Sequence, residues 1–138
     1  MKLSNLKILL VEHDPFIADA FQQHFKSWGC LLVGVESAKE GIRQLEKKNF
    51  DVIASENELL GNNGLVFFKH VKSLIPEAVT ILITNYRELI RAPEALESVV
   101  DNIIEKPFPF GEFLTIISRH LGKQSERFEI ISYIAQTG

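Results

Sequence analysis

Short apolar runs alternate with longer stretches of helical periodicity along the whole chain. Each run is apolar at nearly every position, which is typical of parallel strands that are covered on both faces. We predict five such strands, at Leu6–Val11, Leu31–Val35, Val52–Ala54, Val79–Ile83 and Asn102–Ile104.

The stretches between the strands predict helices, two of which have clear starts. Asp14 followed by Pro15 is typical of a helix N-terminus, and Ser37 with Glu40 forms a capping box. The spacing of the apolar residues after Pro15 predicts that the first helix turns one side inward. That side comprises Phe16, Ile17, Ala20, Phe21, His24, Phe25 and Trp28.

Three further helices follow. One over 86–100 contains Pro93, which predicts a kink or a split, and the last runs from Pro109 to Leu121. The other, over 64–74, is expected to turn inward Leu65, Phe68, Val71, Lys72 and Leu74. Five strands alternating with five helical segments predict an α/β domain with a doubly wound parallel sheet.

This domain is expected to span residues 1–121 and to leave 122–138 as a C-terminal tail. The tail continues with apolar residues at helical spacing from Phe128 to Ala135. Three alternatives stay open for it: a sixth helix docked on the same chain, the start of a linker helix, or a contact in a homodimer.

Composition narrows the class of protein. A chain of 138 residues with a net charge of −3 and scattered basic residues lacks the concentrated basic face of a nucleic-acid-binding domain. Its single cysteine, Cys30, excludes an internal disulfide and fits a reducing compartment. No signal-peptide pattern opens the chain and no apolar run approaches membrane-spanning length. We therefore expect a cytoplasmic domain that binds neither nucleic acid nor membranes.

Polar side chains follow four of the predicted strands. Glu12 and His13 come after the first, Glu56 after the third, Thr84 after the fourth and Lys106 after the fifth. The carboxyl ends of parallel strands meet at one edge of a sheet, where ligands bind in open α/β folds. Carboxylates can hold a divalent metal, while a lysine and a hydroxyl can bind phosphoryl oxygens. The edge is therefore expected to carry anion chemistry assisted by a cation.

Four segments of the chain resemble those of one family. They are ILLVEHDP, FDVIASENELLGNNG, ILITN and EKPF. On the basis of these segments, residues 6–121 resemble the response-regulator receiver domain, which is the phosphoacceptor module of bacterial two-component signalling. The resemblance implies a flavodoxin-like five-stranded sheet in the order 2-1-3-4-5 with helices on both faces. It also implies a cis peptide bond between Lys106 and Pro107.

The resemblance assigns roles to residues by position. Glu56 stands where the family has the aspartate that accepts phosphate, and Thr84 and Lys106 match the hydroxyl and the lysine that assist the transfer. The metal positions that the resemblance implies are Glu12, His13, Glu56 and the backbone carbonyl of Glu58.

Two of these residues depart from the family's pattern. The extra methylene of Glu56 displaces its carboxylate by roughly 1 Å, which can cost about a hundredfold in rate where in-line geometry is required. His13 replaces a metal-binding carboxylate, and neutral imidazole is a poor ligand for magnesium. We therefore expect no cofactor, impaired magnesium binding, and no enzymatic activity beyond residual transfer to the domain itself.

The positions that transmit the signal in the family are also altered. Asn85 stands where a small residue leaves room for the phosphoryl group, and Ile103 occupies the aromatic switch position. The resemblance implies a contact surface that includes Arg87, Ile103 and Phe108. Its partners would be a histidine kinase, a phosphotransfer protein or an output protein.

The resulting hypothesis is a pseudo-receiver that acts by protein contact. Glu56 is expected within ion-pair distance of Lys106 as a fixed stand-in for phosphoaspartate. His13 is expected to pack or hydrogen bond beside Glu12 rather than to bind a transition metal, with a raised pKa if it lies between Glu12 and Glu56.

Two other readings stay open. In the first, the domain is an active phosphoacceptor of a phosphorelay that uses Glu56. In the second, the chain is a flavodoxin-like enzyme or nucleotide binder, which the lack of a glycine-rich loop after the first strand disfavours.

Overall fold

The fold is built around a five-stranded parallel sheet. The structure is a computed structural model that describes residues 6–56, 58–59, 62–84 and 98–121. The strands are β1 (Lys7–Val11), β2 (Leu31–Val35), β3 (Val52–Glu56), β4 (Val79–Thr84) and β5 (Asn102–Glu105). They lie in the order β2-β1-β3-β4-β5, and every neighbouring pair is parallel, so the predicted order 2-1-3-4-5 is confirmed.

Among the described residues, three helices connect successive strands and a fourth follows β5. They are α1 (Pro15–Ser27), α2 (Ala38–Lys47), α3 (Gly64–Leu74) and α4 (Phe110–Leu121). The Phe16 N–H donates to Asp14 Oδ1 at 2.9 Å, and the Glu40 N–H donates to Ser37 Oγ at 3.2 Å. Both predicted helix starts are therefore confirmed. Most of the predicted helix over 86–100 and the tail over 122–138 lie outside the described residues.

Helices cover both faces of the sheet because successive side chains of each strand point to opposite sides. On β1, Ile8 and Leu10 join one buried cluster and Leu9 and Val11 the other. The first cluster includes Phe21 and other residues of α1 and α4, and the second includes residues of α2 and α3. This arrangement confirms the doubly wound architecture. None of the described helices is long and apolar enough to cross a membrane.

The inward sides of α1 and α3 differ in part from the prediction. Phe16 is 86% exposed, because it lies in the first turn of α1, before the buried stripe that contains Phe21 and Phe25. On α3, Phe67 is buried beside Phe68, while Leu74 in the last turn is exposed. His24 on α1 is exposed as well. The predicted inward positions of Phe16, His24 and Leu74 are therefore wrong, and the inward position of Phe67 was missed.

Asp101 ties three elements together at the amino-terminal edge of the sheet. Its Oδ2 accepts hydrogen bonds from the Thr80 N–H at 2.9 Å and from Lys72 Nζ at 3.1 Å. Lys72 also donates to the Ala78 carbonyl at 3.1 Å. The aliphatic part of Lys72 can thus lie along the inward side of α3 while its charged end is paired.

Asp101→Ala is expected to lower the free energy of unfolding by about 2 kcal/mol, because it removes the acceptor of charge-assisted and backbone hydrogen bonds. Urea denaturation monitored by circular dichroism measures the loss. Asp19→Ala is the matched control, since Asp19 is an exposed carboxylate on α1 that accepts a hydrogen bond from the Gln23 side chain at 3.0 Å. Equal midpoints for the two variants would contradict the assigned role of Asp101.

Candidate functional site

The order of the strands brings the ends of β1 and β3 side by side. Val11 is paired in register with Ser55, so Glu12 and Glu56 follow as direct neighbours at the carboxyl edge. Both residues are buried, with 1% of Glu12 and 5% of Glu56 exposed. Two carboxyl groups removed from water at such short range need cations or hydrogen-bond donors around them.

His13 supplies two of the donors. Its backbone N–H donates to Glu56 Oε1 at 3.0 Å, and its Nδ1 is hydrogen bonded to the same oxygen. Nδ1 also lies 3.7 Å from Glu12 Oε1. The imidazole is 49% exposed, so His13 closes the site from the solvent side while it holds Glu56 in place.

Glu12 is held from the other side. Its Oε1 accepts from the Asp14 N–H at 3.2 Å, and its Oε2 accepts from Lys106 Nζ at 3.4 Å. Lys106 is positioned by its own N–H, which donates to the Thr84 carbonyl at 2.7 Å. The bond from Lys106 to Pro107 is cis, as the resemblance implied.

These contacts change the proton affinity of two groups. The hydrogen bond to Glu56, with the negative charge of Glu56, raises the pKa of His13 above its ordinary value of 6.5. Burial raises the pKa of Glu12 above 4.5, and the hydrogen bond between its carboxyl group and that of Glu56 raises it further. The sequence predicted a raised pKa for His13 if its imidazole lay between Glu12 and Glu56, and the direction of the shift agrees with that prediction.

The structure pairs the charges differently from the prediction. Lys106 contacts Glu12, while Glu56 contacts His13. The predicted ion pair between Glu56 and Lys106 is therefore wrong for the described side chains. Glu56 Oε1 is instead held by the backbone N–H and the ring of His13, which follows β1, the direct neighbour of β3.

The remaining predicted positions are spread around this edge. Thr84 is buried at the end of β4, and Ile103 on β5 is 38% exposed. Phe108 is half-buried, with its ring centroid 5.9 Å from that of Phe21. Glu58 begins a two-residue antiparallel ladder, Glu58–Leu59 with Asn62–Asn63, that follows β3. Asn85 and Arg87 lie outside the described residues. The roles of these six residues stay predictions.

Among the described residues, Glu12, His13 and Glu56 could hold a metal ion, because one ligand atom from each lies within 4.8 Å of the others. Magnesium prefers oxygen ligands in octahedral geometry. Here one of the three ligand atoms is an imidazole nitrogen, and Glu56 Oε1 already accepts a backbone hydrogen bond from His13. By its donor chemistry, the group therefore suits magnesium poorly.

The raised pKa values predict that the protein loses stability as the pH rises. A group whose pKa is higher in the folded state stabilises the fold below its unfolded value and loses that contribution as the pH passes through the folded value. For His13 this window begins near 6.5, and for Glu12 near 4.5. As the pH rises above about 6.5, the urea midpoint should therefore fall more steeply in the wild type than in His13→Asn, measured with a chelator present.

The matched control for this pH dependence is His70→Asn, which removes an exposed imidazole on α3. It should keep the slope of the wild type. If His13→Asn and the wild type have the same slope, the coupling between His13 and Glu56 does not contribute to stability.

Comparison with known proteins identifies the family. The model of the response regulator receiver domain matches residues 8–118, and the chain belongs to this family. It is 27% identical over 114 residues to the response regulator protein FleR of Pseudomonas aeruginosa, covering 83% of this chain and 24% of FleR. It is 25% identical over 118 residues to the DNA-binding transcriptional regulator NtrC of Klebsiella pneumoniae, covering 86% and 25%. The chain thus spans about a quarter of the length of these relatives.

Solved structures agree with the fold. A CheY-like receiver domain protein of Methanospirillum hungatei superposes with a TM-score of 0.79 at 25% identity, covering 88% of this chain and 97% of that one. The response regulator TrrA of Thermotoga maritima, solved in complex with Mg²⁺ and BeF, gives a TM-score of 0.74 at 22% identity, covering 83% and 98%. The chain is therefore a signal-receiving domain of the two-component type, and its named relatives are regulators of transcription or response.

Sequence reasoning missed two of the groups that build the site. Both are backbone donors: the His13 N–H on Glu56 and the Asp14 N–H on Glu12. A backbone N–H is present at every residue except proline, so residue identity gives no indication of it. The adjacent ends of β1 and β3 in the predicted strand order were the signal that could have located the His13 contact.

Proposed function

We propose that this receiver domain transmits its signal by protein contact in one fixed state and is not switched by ordinary aspartate phosphorylation. The observation that carries the proposal is the position of Glu56. Its carboxylate is buried at the acceptor position of the family, and both donors of His13 engage Oε1. An oxygen held in this way is poorly placed to attack a phosphoryl donor in line.

The set of possible metal ligands, Glu12, His13 and Glu56, supports the same proposal. Phosphoryl transfer relies on a metal ion to neutralise the charge that develops on the transferred group. With an imidazole in place of a carboxylate, we propose that magnesium is bound weakly or not at all and that the domain is not an enzyme.

The pairing of Lys106 decides between two kinds of fixed state. A mimic of the phosphorylated state would place Glu56 against Lys106, as the sequence suggested. Lys106 is instead 3.4 Å from Glu12. We therefore propose a permanently unswitched domain rather than a permanently activated one.

We propose signalling proteins as its partners: a histidine kinase, a phosphotransfer protein or an output protein of a bacterial cytoplasm. Ile103 is exposed on β5, the edge strand of the sheet, and can contribute apolar contact area to such an interface. Residues 1–121 would form the module, and residues 122–138 would serve as a linker, a docked helix or a homodimer contact.

Intact mass after incubation with magnesium and acetyl phosphate tests the proposal. We expect no phosphoryl adduct on the wild type under conditions that label the His13→Asp, Glu56→Asp double variant. The alternative function, a phosphoacceptor that uses Glu56, is favoured by the retained contact of Lys106 with Glu12 at the same edge. An adduct on the wild type that disappears in Glu56→Ala would establish that alternative.

A further inference from the structure

Glu12, His13 and Glu56 form a mixed donor set at the carboxyl edge of the sheet. Two carboxylate oxygens and one imidazole nitrogen lie within 4.8 Å of one another. Nitrogen and oxygen ligands bind Zn²⁺ at about 2.0–2.2 Å, so ligand atoms on one ion are roughly 3–4 Å apart. The His13 Nδ1 to Glu12 Oε1 distance of 3.7 Å is already in that range.

We propose that this group binds a borderline transition-metal ion, of the class of Zn²⁺ or Co²⁺, in preference to magnesium. Imidazole suits these ions, whereas magnesium selects oxygen ligands. His13 is the residue that makes this site a poor one for magnesium. The same imidazole would make the site prefer Zn²⁺ or Co²⁺. The inference does not depend on whether the domain can be phosphorylated.

The two carboxylates have the supporting contacts that a metal site needs. Glu12 is oriented by the Asp14 N–H at 3.2 Å and by Lys106 Nζ at 3.4 Å, and Glu56 by the His13 N–H at 3.0 Å. Groups of this kind fix the orientation of metal ligands. Because both carboxylates are buried, little ordering remains to be done when an ion enters.

The side chain of His13 gives a metal ion access to the site from solvent, and its ring can rotate to accommodate the ion. Its side chain is 49% exposed, so an ion can reach Nδ1 from solvent and can keep water in its open positions. The imidazole binds only as the neutral base, so the proton between Nδ1 and Glu56 Oε1 is released to solvent when the ion takes its place. A small rotation of the ring then separates Nδ1 from Oε1 enough for one ion to contact both.

A titration with Co²⁺, Zn²⁺ and Mg²⁺ tests the proposal. The purified full chain is titrated with Co²⁺ while its visible absorption is recorded, and Zn²⁺ and Mg²⁺ are then added as competitors. We expect a saturable Co²⁺ spectrum in the wild type. In His13→Asp, which restores the all-oxygen set, the ratio of Zn²⁺ to Mg²⁺ affinity should fall by at least about tenfold.

His70→Ala is the matched control, because it removes an exposed imidazole on α3 and should change neither the spectrum nor the ratio. Absence of saturable binding to the wild type overturns the proposal. The same follows if His13→Asp retains the wild-type ratio, since the ion is then not bound through His13. Neither result bears on the phosphoryl adduct, which is measured separately by mass.

Discussion

The His13→Asp, Glu56→Asp double variant should accept a phosphoryl group from acetyl phosphate and magnesium at least about a hundredfold faster than the wild type. Two causes act together. Aspartate at position 56 is one methylene shorter and would no longer reach the backbone N–H of His13, which now holds Oε1 at 3.0 Å. Aspartate at position 13 adds a third carboxylate, and magnesium prefers oxygen ligands of this kind.

The single variants separate the two causes. Glu56→Asp alone restores the acceptor but leaves the imidazole beside it, so we expect only a small part of the gain. His13→Asp alone leaves the longer acceptor and adds a third carboxylate next to Glu12 and Glu56. Time courses of intact mass measure all four proteins. If the double variant gains no phosphoryl group, the loss of phosphorylation does not result from the residues at positions 13 and 56.

Lys106→Met should lower the free energy of unfolding by about 2 kcal/mol at neutral pH, because it leaves the Glu12 carboxylate without its cation. Glu12 is almost fully buried, and Lys106 Nζ lies 3.4 Å from its Oε2. Removing one member of a buried pair costs more than removing both, since an uncompensated charge stays behind. Methionine keeps the apolar bulk of the side chain, so the packing changes little.

Glu12→Gln completes a double-mutant cycle that isolates this interaction. Once the carboxylate has become an amide, the cation has no partner to neutralise, and Lys106→Met should then cost far less. Urea denaturation of the four proteins gives the coupling free energy. Simple additivity of the two changes would contradict the contact between Lys106 and Glu12.

The strand order and the polar edge could be predicted from the sequence because both depend on patterns that extend over many residues. Near-continuous apolar runs located the strands, and the helix caps at Asp14 and Ser37 located two helix starts, each now seen as a hydrogen bond. The family resemblance then gave the order 2-1-3-4-5, which the sheet has. These features do not depend on any single side-chain conformation.

The partner of Glu56 could not be predicted from residue types alone. Lys106 is the obvious cation by charge, but it follows β5, two strands away from β3. His13 follows β1, the direct neighbour of β3, and its backbone N–H binds the acceptor-position carboxylate regardless of the protonation of its ring. The strand order places His13 beside Glu56, but it does not exclude Lys106, which reaches Glu12 at the end of β1, a strand still farther from β5.

The inward sides of the helices show a second limit. Periodicity gives the angular spacing of apolar residues but not the length over which a helix covers the sheet. Phe16 and Leu74 fit the spacing, yet they lie in the first turn of α1 and the last turn of α3, where they are exposed.

The most direct test of the fixed state is an NMR titration with magnesium and beryllofluoride, which together imitate the phosphorylated site. We expect the backbone amide signals of His13, Thr84 and Lys106 to stay unchanged in the wild type, while those of the double variant shift and saturate. Saturable shifts of these amides in the wild type would contradict the account, because they would show that the site still accepts a phosphoryl group and its metal.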